Sequence, residues 1–181
     1  QRKLGITFIF VTHDQEEAIT MSDRIVVMNS GRIEQQGTPK SIYEDPINMF
    51  VAKFVGEINV FDGKVMSVEN GRMTADIEGI PFSLLNPKGF VAGQNVKVLL
   101  RPEDIVLERV LNGSETPYLE GRVQEMIYKG TTVDLIVAMN SGKQILVTAF
   151  FNEDSEEIRY DSGEKVRITW VNGWEAVLSD D

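Results

Sequence analysis

The chain has no cysteine and a single histidine, His13. The missing thiols exclude disulfides, thiolate catalysis and cysteine-bound metal, and they fit a reducing compartment. No stretch approaches the ~18–20 continuous apolar residues that a membrane-crossing helix needs. The opening QRKLGITF reads as a helix end running into a strand rather than a leader peptide. Without an initiator methionine, the chain reads as starting inside a domain, as a piece of something longer. Positive charge is also scarce: 18 Lys and Arg stand against 28 Asp and Glu, a net charge of -10. The deficit lies after residue 55. Residues 1–55 hold six basic against seven acidic side chains, and the rest hold twelve against twenty-one. A nucleic-acid backbone is repelled by such a surface. The excess acid reads as a solubilising face.

What is present is the composition of a soluble globular protein, 42% apolar and 25% charged over 181 residues. It has two grammars. Residues 1–55 read as α+β. ITFIFV, Ile6 to Val11, is a continuous β-branched and aromatic run, which predicts a strand buried on both faces of a parallel sheet. Asp14 then caps a helix with Glu16 and Glu17 in its first turn. Arg24 to Met28 and Arg32 to Gln36 form a hairpin about Asn29-Ser30-Gly31. Thr38 caps a helix with Pro39 in its first position and Pro46 at its end. A second short helix, about Asn48 to Val55, stops at Gly56.

From residue 56 to 181 the helical period vanishes. Short alternating segments broken by Asn-Gly and Ser-Gly turns predict an all-β barrel or sandwich. This half also repeats. Gly63-Lys64-Val65 matches Gly121-Arg122-Val123. GQNVKVLLRPEDIVL, from Gly93, aligns with GEKVRITWVNGWEAVL, from Gly163, with one inserted residue. Two similar small barrels follow, about 59–110 and 117–181. Closure is attractive because it removes exposed strand edges.

Taken together, the apolar strand ending in Thr12-His13-Asp14, the acidic Ala-containing helix, Ser22-Asp23-Arg24-Ile25 and the Gly31-Arg32-Ile33 hairpin resemble the end of an ABC-transporter ATPase domain. The later residues, with Arg101-Pro102-Glu103 and the Gly163-to-Leu178 segment, resemble the appended tandem OB-like regulatory module of importer ATPases, called TOBE. GEINVFDGKV, YKGTTVDLIV, FFNEDSEE and ITWVNGWEAVL are similar to the ATP-binding subunits of bacterial spermidine/putrescine importers. The resemblance covers essentially the whole chain. It implies that His13 is the switch histidine, bonding the γ-phosphate of ATP and helping to place the attacking water, a positioning role suited to phosphoryl transfer. It implies MgATP as cofactor of the parent and a second copy of the subunit as partner. It further implies membrane permease subunits, a polyamine-capturing protein, and a peripheral place on the cytoplasmic face of the bacterial inner membrane. The same architecture in a sugar importer, or a free-standing OB-like ligand-binding module, stays open.

The chain cannot hydrolyse ATP alone on this reading. A phosphate loop needs G-x-x-x-x-G-K-[ST]. Gly142-Lys143 is followed by Gln144 and has Val137 at the first glycine position, and Gly63-Lys64 is followed by valine. The family's Ser-Gly-Gly-Gln signature is missing too. No metal site and no cofactor site are expected in this chain. Arg101-Pro102-Glu103 reads as fixing a strand end. Trp170 and Trp174, a conceivable cation cage, read as core and edge packing. The acids Glu153, Asp154, Glu156 and Glu157 form a solvated loop or, more boldly, a regulatory polyamine site. They lack the spacing of a calcium loop.

Overall fold

The computed structural model describes residues 3–110, 116–151 and 160–180. The chain divides into two compact units, residues 1–56 and 57–181. In the first, α1 (Gln15–Met21) is followed by the hairpin β1 (Ile25–Asn29) and β2 (Arg32–Gly37), then α2 (Pro39–Glu44) and α3 (Met49–Phe54). The two-residue turn puts Ser30 and Gly31 at φ 48 and 78, the type I′ geometry that matches strand twist. β2 carries one extra residue opposite Val27 and Met28, which is Glu34. Its carboxylate accepts from Asn29 Nδ2 at 3.2 Å and from Asn48 Nδ2 at 2.8 Å. Asn48 caps α3 by accepting from the Val51 amide. The bulge thus ties the hairpin turn to a helix start. Ile25, Val27, Ile42, Val51 and Val55 form the core of this unit.

One expectation fails here. Ile6 to Val11 forms no strand, and its side chains face solvent, with Ile9 92% and Val11 90% exposed. A strand exists only through ladder partners. The only described sheet of this unit is the β1–β2 hairpin, which does not extend to these residues. The composition is that of a buried strand, but among the described residues nothing pairs with it.

The second unit is all-β. One antiparallel sheet has the order β12-β6-β3-β4-β5, the other β10-β9-β8-β11-β7. The strands are β3 (Asn59–Glu69), β4 (Arg72–Ile77), β5 (Ile80–Leu85), β6 (Asn95–Leu100), β7 (Ile105–Arg109), β8 (Leu119–Tyr128), β9 (Thr132–Met139), β10 (Gln144–Phe150), β11 (Lys165–Trp170) and β12 (Ala176–Ser179). A 3-10 turn, Pro102–Asp104, joins β6 to β7. Alternation along each strand sends Phe61, Val65, Ala75, Val98, Val123, Leu135, Val137 and Ile168 into one hydrophobic core shared by both sheets.

The residues matched in sequence occupy matched places. Both long first strands bulge at the same point, leaving Met66 and Gln124 unpaired. Beside each bulge the preceding valine bonds a glycine turn in the same way. Val65 N donates to Gln94 O at 2.9 Å and Gly93 N to Val65 O at 2.7 Å. Val123 N donates to Glu164 O at 3.0 Å and Gly163 N to Val123 O at 2.7 Å. The two segments nevertheless exchange their last strands. β7 pairs with β11, and β12 returns to pair with β6. Each sheet therefore takes four strands from one segment and its fifth from the other.

Gly121 shows why that match is strict. A Cβ there would sit 2.6 Å from Val137 Cγ1, 3.0 Å from the Ala138 carbonyl and 3.1 Å from Ile168 Cδ1. Its counterpart Gly63 is less confined, with Val96 Cγ2 at 3.2 Å.

Candidate functional site

His13 lies in the turn before α1, between two residues that build a helix cap. Asp14 Oδ1 accepts from the amides of Glu16 and Glu17 at 2.9 and 3.1 Å. Thr12 Oγ1 accepts from the Asp14 amide at 2.9 Å and donates to Glu17 Oε2 at 2.7 Å. Thr12, Asp14 and Glu17 thus fix the backbone on both sides of the histidine. The imidazole itself is exposed and makes no hydrogen bond among the described residues. An imidazole so placed can donate to, or accept from, a group brought from outside the chain. The sequence has no G-x-x-x-x-G-K-[ST] phosphate loop.

The acids Glu153, Asp154, Glu156 and Glu157 lie outside the described residues. No cluster of metal-ligating side chains occurs among the described ones. Arg101 is 5% exposed and donates from Nη1 to the Glu57 carbonyl at 3.1 Å. It anchors the entry to β3 and the end of β6. The two tryptophans part company. Trp170 stacks on Phe82 with ring centroids 4.6 Å apart and donates from Nε1 to Glu175. Trp174 stands 57% exposed on the next turn, so it is surface and not packing.

Two polar centres in the β unit were not singled out from sequence. Asp134 is buried in the middle of β9, held by Lys129 Nζ at 2.5 Å and Thr148 Oγ1 at 2.8 Å. Burial pushes its carboxyl up, but these two donors hold it below the ordinary aspartate value. An acid inside the apolar run VDLIVAM was the available signal. The other centre is Lys97, between Asp180 at 2.7 Å and Asp62 at 2.5 Å. The bonds to Asp180 and Asp62 raise its pKa to about 12. Asp62 is lowered in turn, chiefly by the hydrogen bond from Lys97. Both centres join strands within one sheet. An apolar groove lies between β7 and β10, lined by Ile105, Val106, Leu107, Val147 and Phe150, with Tyr160 donating its hydroxyl to the Leu107 carbonyl at 2.9 Å.

Comparison with known proteins supplies what this geometry alone does not. Residues 98–178 match the TOBE domain family. The chain is 56% identical to the spermidine/putrescine import ATP-binding protein PotA of Oleidesulfovibrio alaskensis, over 100% of this chain and 50% of that protein. It is 56% identical to the protein of that name from Lawsonia intracellularis, over 98% of this chain and 49% of the relative. The Photobacterium profundum protein is 50% identical over 100% of this chain and 49% of its own length. The chain thus spans about half the length of these relatives, and it matches their C-terminal half. Among solved structures, the cytoplasmic molybdate-binding protein ModG aligns with a TM-score of 0.57 over 66% of this chain and 94% of its own, at 16% identity. That likeness carries the fold alone, an OB-like β architecture. The whole chain corresponds to the C-terminal half of the spermidine/putrescine import ATP-binding proteins it matches, and its residues 98–178 match the TOBE domain family.

Proposed function

We propose that this chain is the regulatory and dimerisation region of an ATP-hydrolysing subunit that energises polyamine import. The observation that carries the reading is identity of 50–56% along the full chain to spermidine/putrescine import ATP-binding proteins. Residues 1–55 are read as the remnant of the ATPase domain and 56–181 as the TOBE region. In the parent, MgATP would bind between two copies and favour their closed arrangement. Permease subunits would sense that change, and hydrolysis would reopen the pair. The subunit would sit peripherally on the cytoplasmic face of the inner membrane. No described helix is long and apolar enough to cross one. The polyamine itself would be recognised by a separate capture protein and by the permease.

Within this scheme His13 supplies an N–H to the terminal phosphate of the nucleotide. The cap formed by Thr12, Asp14 and Glu17 supports that role by fixing the backbone around it. The rest of the nucleotide site comes from residues outside this chain, so the isolated chain should leave ATP unbound. The acids Glu153, Asp154, Glu156 and Glu157 are proposed to let internal polyamine restrain transport.

The test uses the full-length parent reconstituted with its permease and capture protein. Spermidine or putrescine should stimulate ATP hydrolysis, and a sugar should not. Replacing His13 with alanine should lower kcat by about 10²-fold or more while leaving ATP affinity within a few-fold, as expected for a group that positions charge in the transition state. Stimulation by a sugar instead of a polyamine would move the reading to a sugar importer. Replacing the four acids with Gln and Asn should relieve inhibition by internal spermidine. An unchanged response would remove the regulatory site from the scheme.

A further inference from the structure

The two repeats treat one place differently. Gly63 pairs with Ile77 as Gly121 pairs with Met139, and Ala75 pairs with Phe82 as Val137 pairs with Ile145. Two residues before Phe82 and Ile145 stand Ile80 and Lys143. Ile80 faces Ile77 across the β4–β5 turn. Lys143 faces Met139, whose amide donates to the Lys143 carbonyl at 2.8 Å. Ile80 and Lys143 are therefore counterparts. In the same way Val60, Phe61 and Asp62 precede Gly63 as Tyr118, Leu119 and Glu120 precede Gly121.

Lys143 reaches from the second sheet to the start of β3. Its Nζ donates to the Val60 carbonyl and lies 4.9 Å from the centre of the Phe61 ring. Its charge also helps to hold the Asp62 carboxyl low. Lys97 on β6 is the register partner of Asp62. In this repeat, then, an ammonium on a flexible apolar stem rests on a carbonyl and a ring beside a carboxylate.

The other repeat keeps the carboxylate but has no lysine at the counterpart position. Arg167 on β11 is the register partner of Glu120, and its guanidinium lies over the Tyr118 ring at 4.5 Å. Leu119 takes the place of Phe61, and Ile80 supplies only an aliphatic side chain where Lys143 would stand. A cleft of about 550 Å³ opens here, lined by Glu78, Ile80, Tyr118, Leu119, Glu120 and Met139. That volume lies in the range of small-ligand sites. Leu119 and Met139 are its buried apolar wall, and Glu78 and Glu120 are its exposed carboxylates.

We infer that this cleft binds a primary alkylammonium ion, one end of a linear alkyl amine. The ammonium takes the place that Lys143 holds in the other repeat, against Glu120 and Glu78. The methylene chain lies on Ile80, Leu119 and Met139. The lysine side chain, four methylenes and an ammonium, is the template for the ligand's length. An anion would be repelled by the two carboxylates. The inference rests on the repeat and the cleft and not on the proposed transport role.

The test is calorimetric titration of the full-length parent, free of nucleotide, with 1,4-diaminobutane, together with spectra of its carbon-13-labelled methionine methyls. Saturable binding should appear with a dissociation constant on the order of 1 mM, as suits a ligand of so few atoms. The Met139 methyl signal should shift with it, and n-butanol should not shift it. Glu78→Gln with Glu120→Gln should weaken binding about tenfold or more. Glu69→Gln with Glu125→Gln removes the same charge elsewhere and should leave binding within about twofold. Ile80→Lys supplies the ammonium from the chain itself, as Lys143 does, and should abolish binding. The inference is overturned by no saturable binding at about tenfold higher concentration, by a Met139 signal that does not move, or by equal weakening from the two pairs of substitutions. A folded Ile80→Lys chain that binds as before overturns it too. If Ile80→Lys does not fold, the two carboxylate pairs and the Met139 signal decide.

Discussion

Gly121 and Gly63 occupy equivalent places, yet their substitution should differ in cost. Gly121→Ala pushes a methyl into Val137 and against a backbone carbonyl that cannot give way. It should destabilise the β unit by ~3 kcal/mol, against ~1 kcal/mol for Gly63→Ala, where only a valine methyl must shift. Urea denaturation of both variants checks the order. Lys97 gives a pH prediction. Its pKa is raised in the fold to about 12, above the ordinary 10.5. The stability it contributes is therefore fully present below 10.5 and is lost as pH climbs through about 12. Lys97→Met should flatten the alkaline limb of a melting-temperature profile in that window. Asp134 has the opposite sign. Its lowered pKa contributes stability above the ordinary aspartate value and loses it as pH falls through the folded one. The glycine pair was visible in the sequence as a repeat, but its packing was not. Asn59 gave no signal, because the Leu146 carbonyl to which it donates lies 87 positions away and contacts at that range leave no local pattern.

At the scale of elements, the parts legible in sequence were those whose cause is local. The β1–β2 hairpin, the Asp14 and Thr38 caps and the Pro39 helix start all depend on residues within a few positions. Ile6 to Val11 is the counterexample. Its composition names a buried strand, but a strand needs partners, and the described residues provide none. The exposed run, with Phe8 and Phe10 flanking Ile9, is an adhesive surface. The chain should self-associate through it. Ile9→Lys with Val11→Lys should lower the mass found by light scattering at high concentration without changing the melting temperature, since neither side chain is packed. A mass equal to one chain for the unaltered protein would refute the idea.

At the scale of the whole β unit, the internal repeat could be read from sequence but the strand exchange could not. Glycine turns and valine positions recur locally. Which β6-like strand takes which final strand is decided by three-dimensional pairing. β12 is only four residues long, yet it completes the first sheet and buries Val177 and Leu178. Each of those side chains contributes roughly 2 kcal/mol on burial. Removing residues 176–181 should therefore lower the melting temperature of the β unit as a whole, in one transition, because both sheets share one core. Two separate transitions, with the second sheet unaffected, would show that the sheets are independent.

The exchanged strands also bear on how the chain comes off the ribosome. The first sheet has four of its strands by Leu100, but its fifth, β12, comes only after the whole second segment. β6 must wait, one flank open, while the whole second segment is made. The first sheet can finish only after the last strand of the second, β11, has been made, so its folding rests on pairings distant in sequence, the slow and aggregation-exposed regime. A ribosome that stops just short of β12 releases a chain in which the earliest-made sheet is the incomplete one.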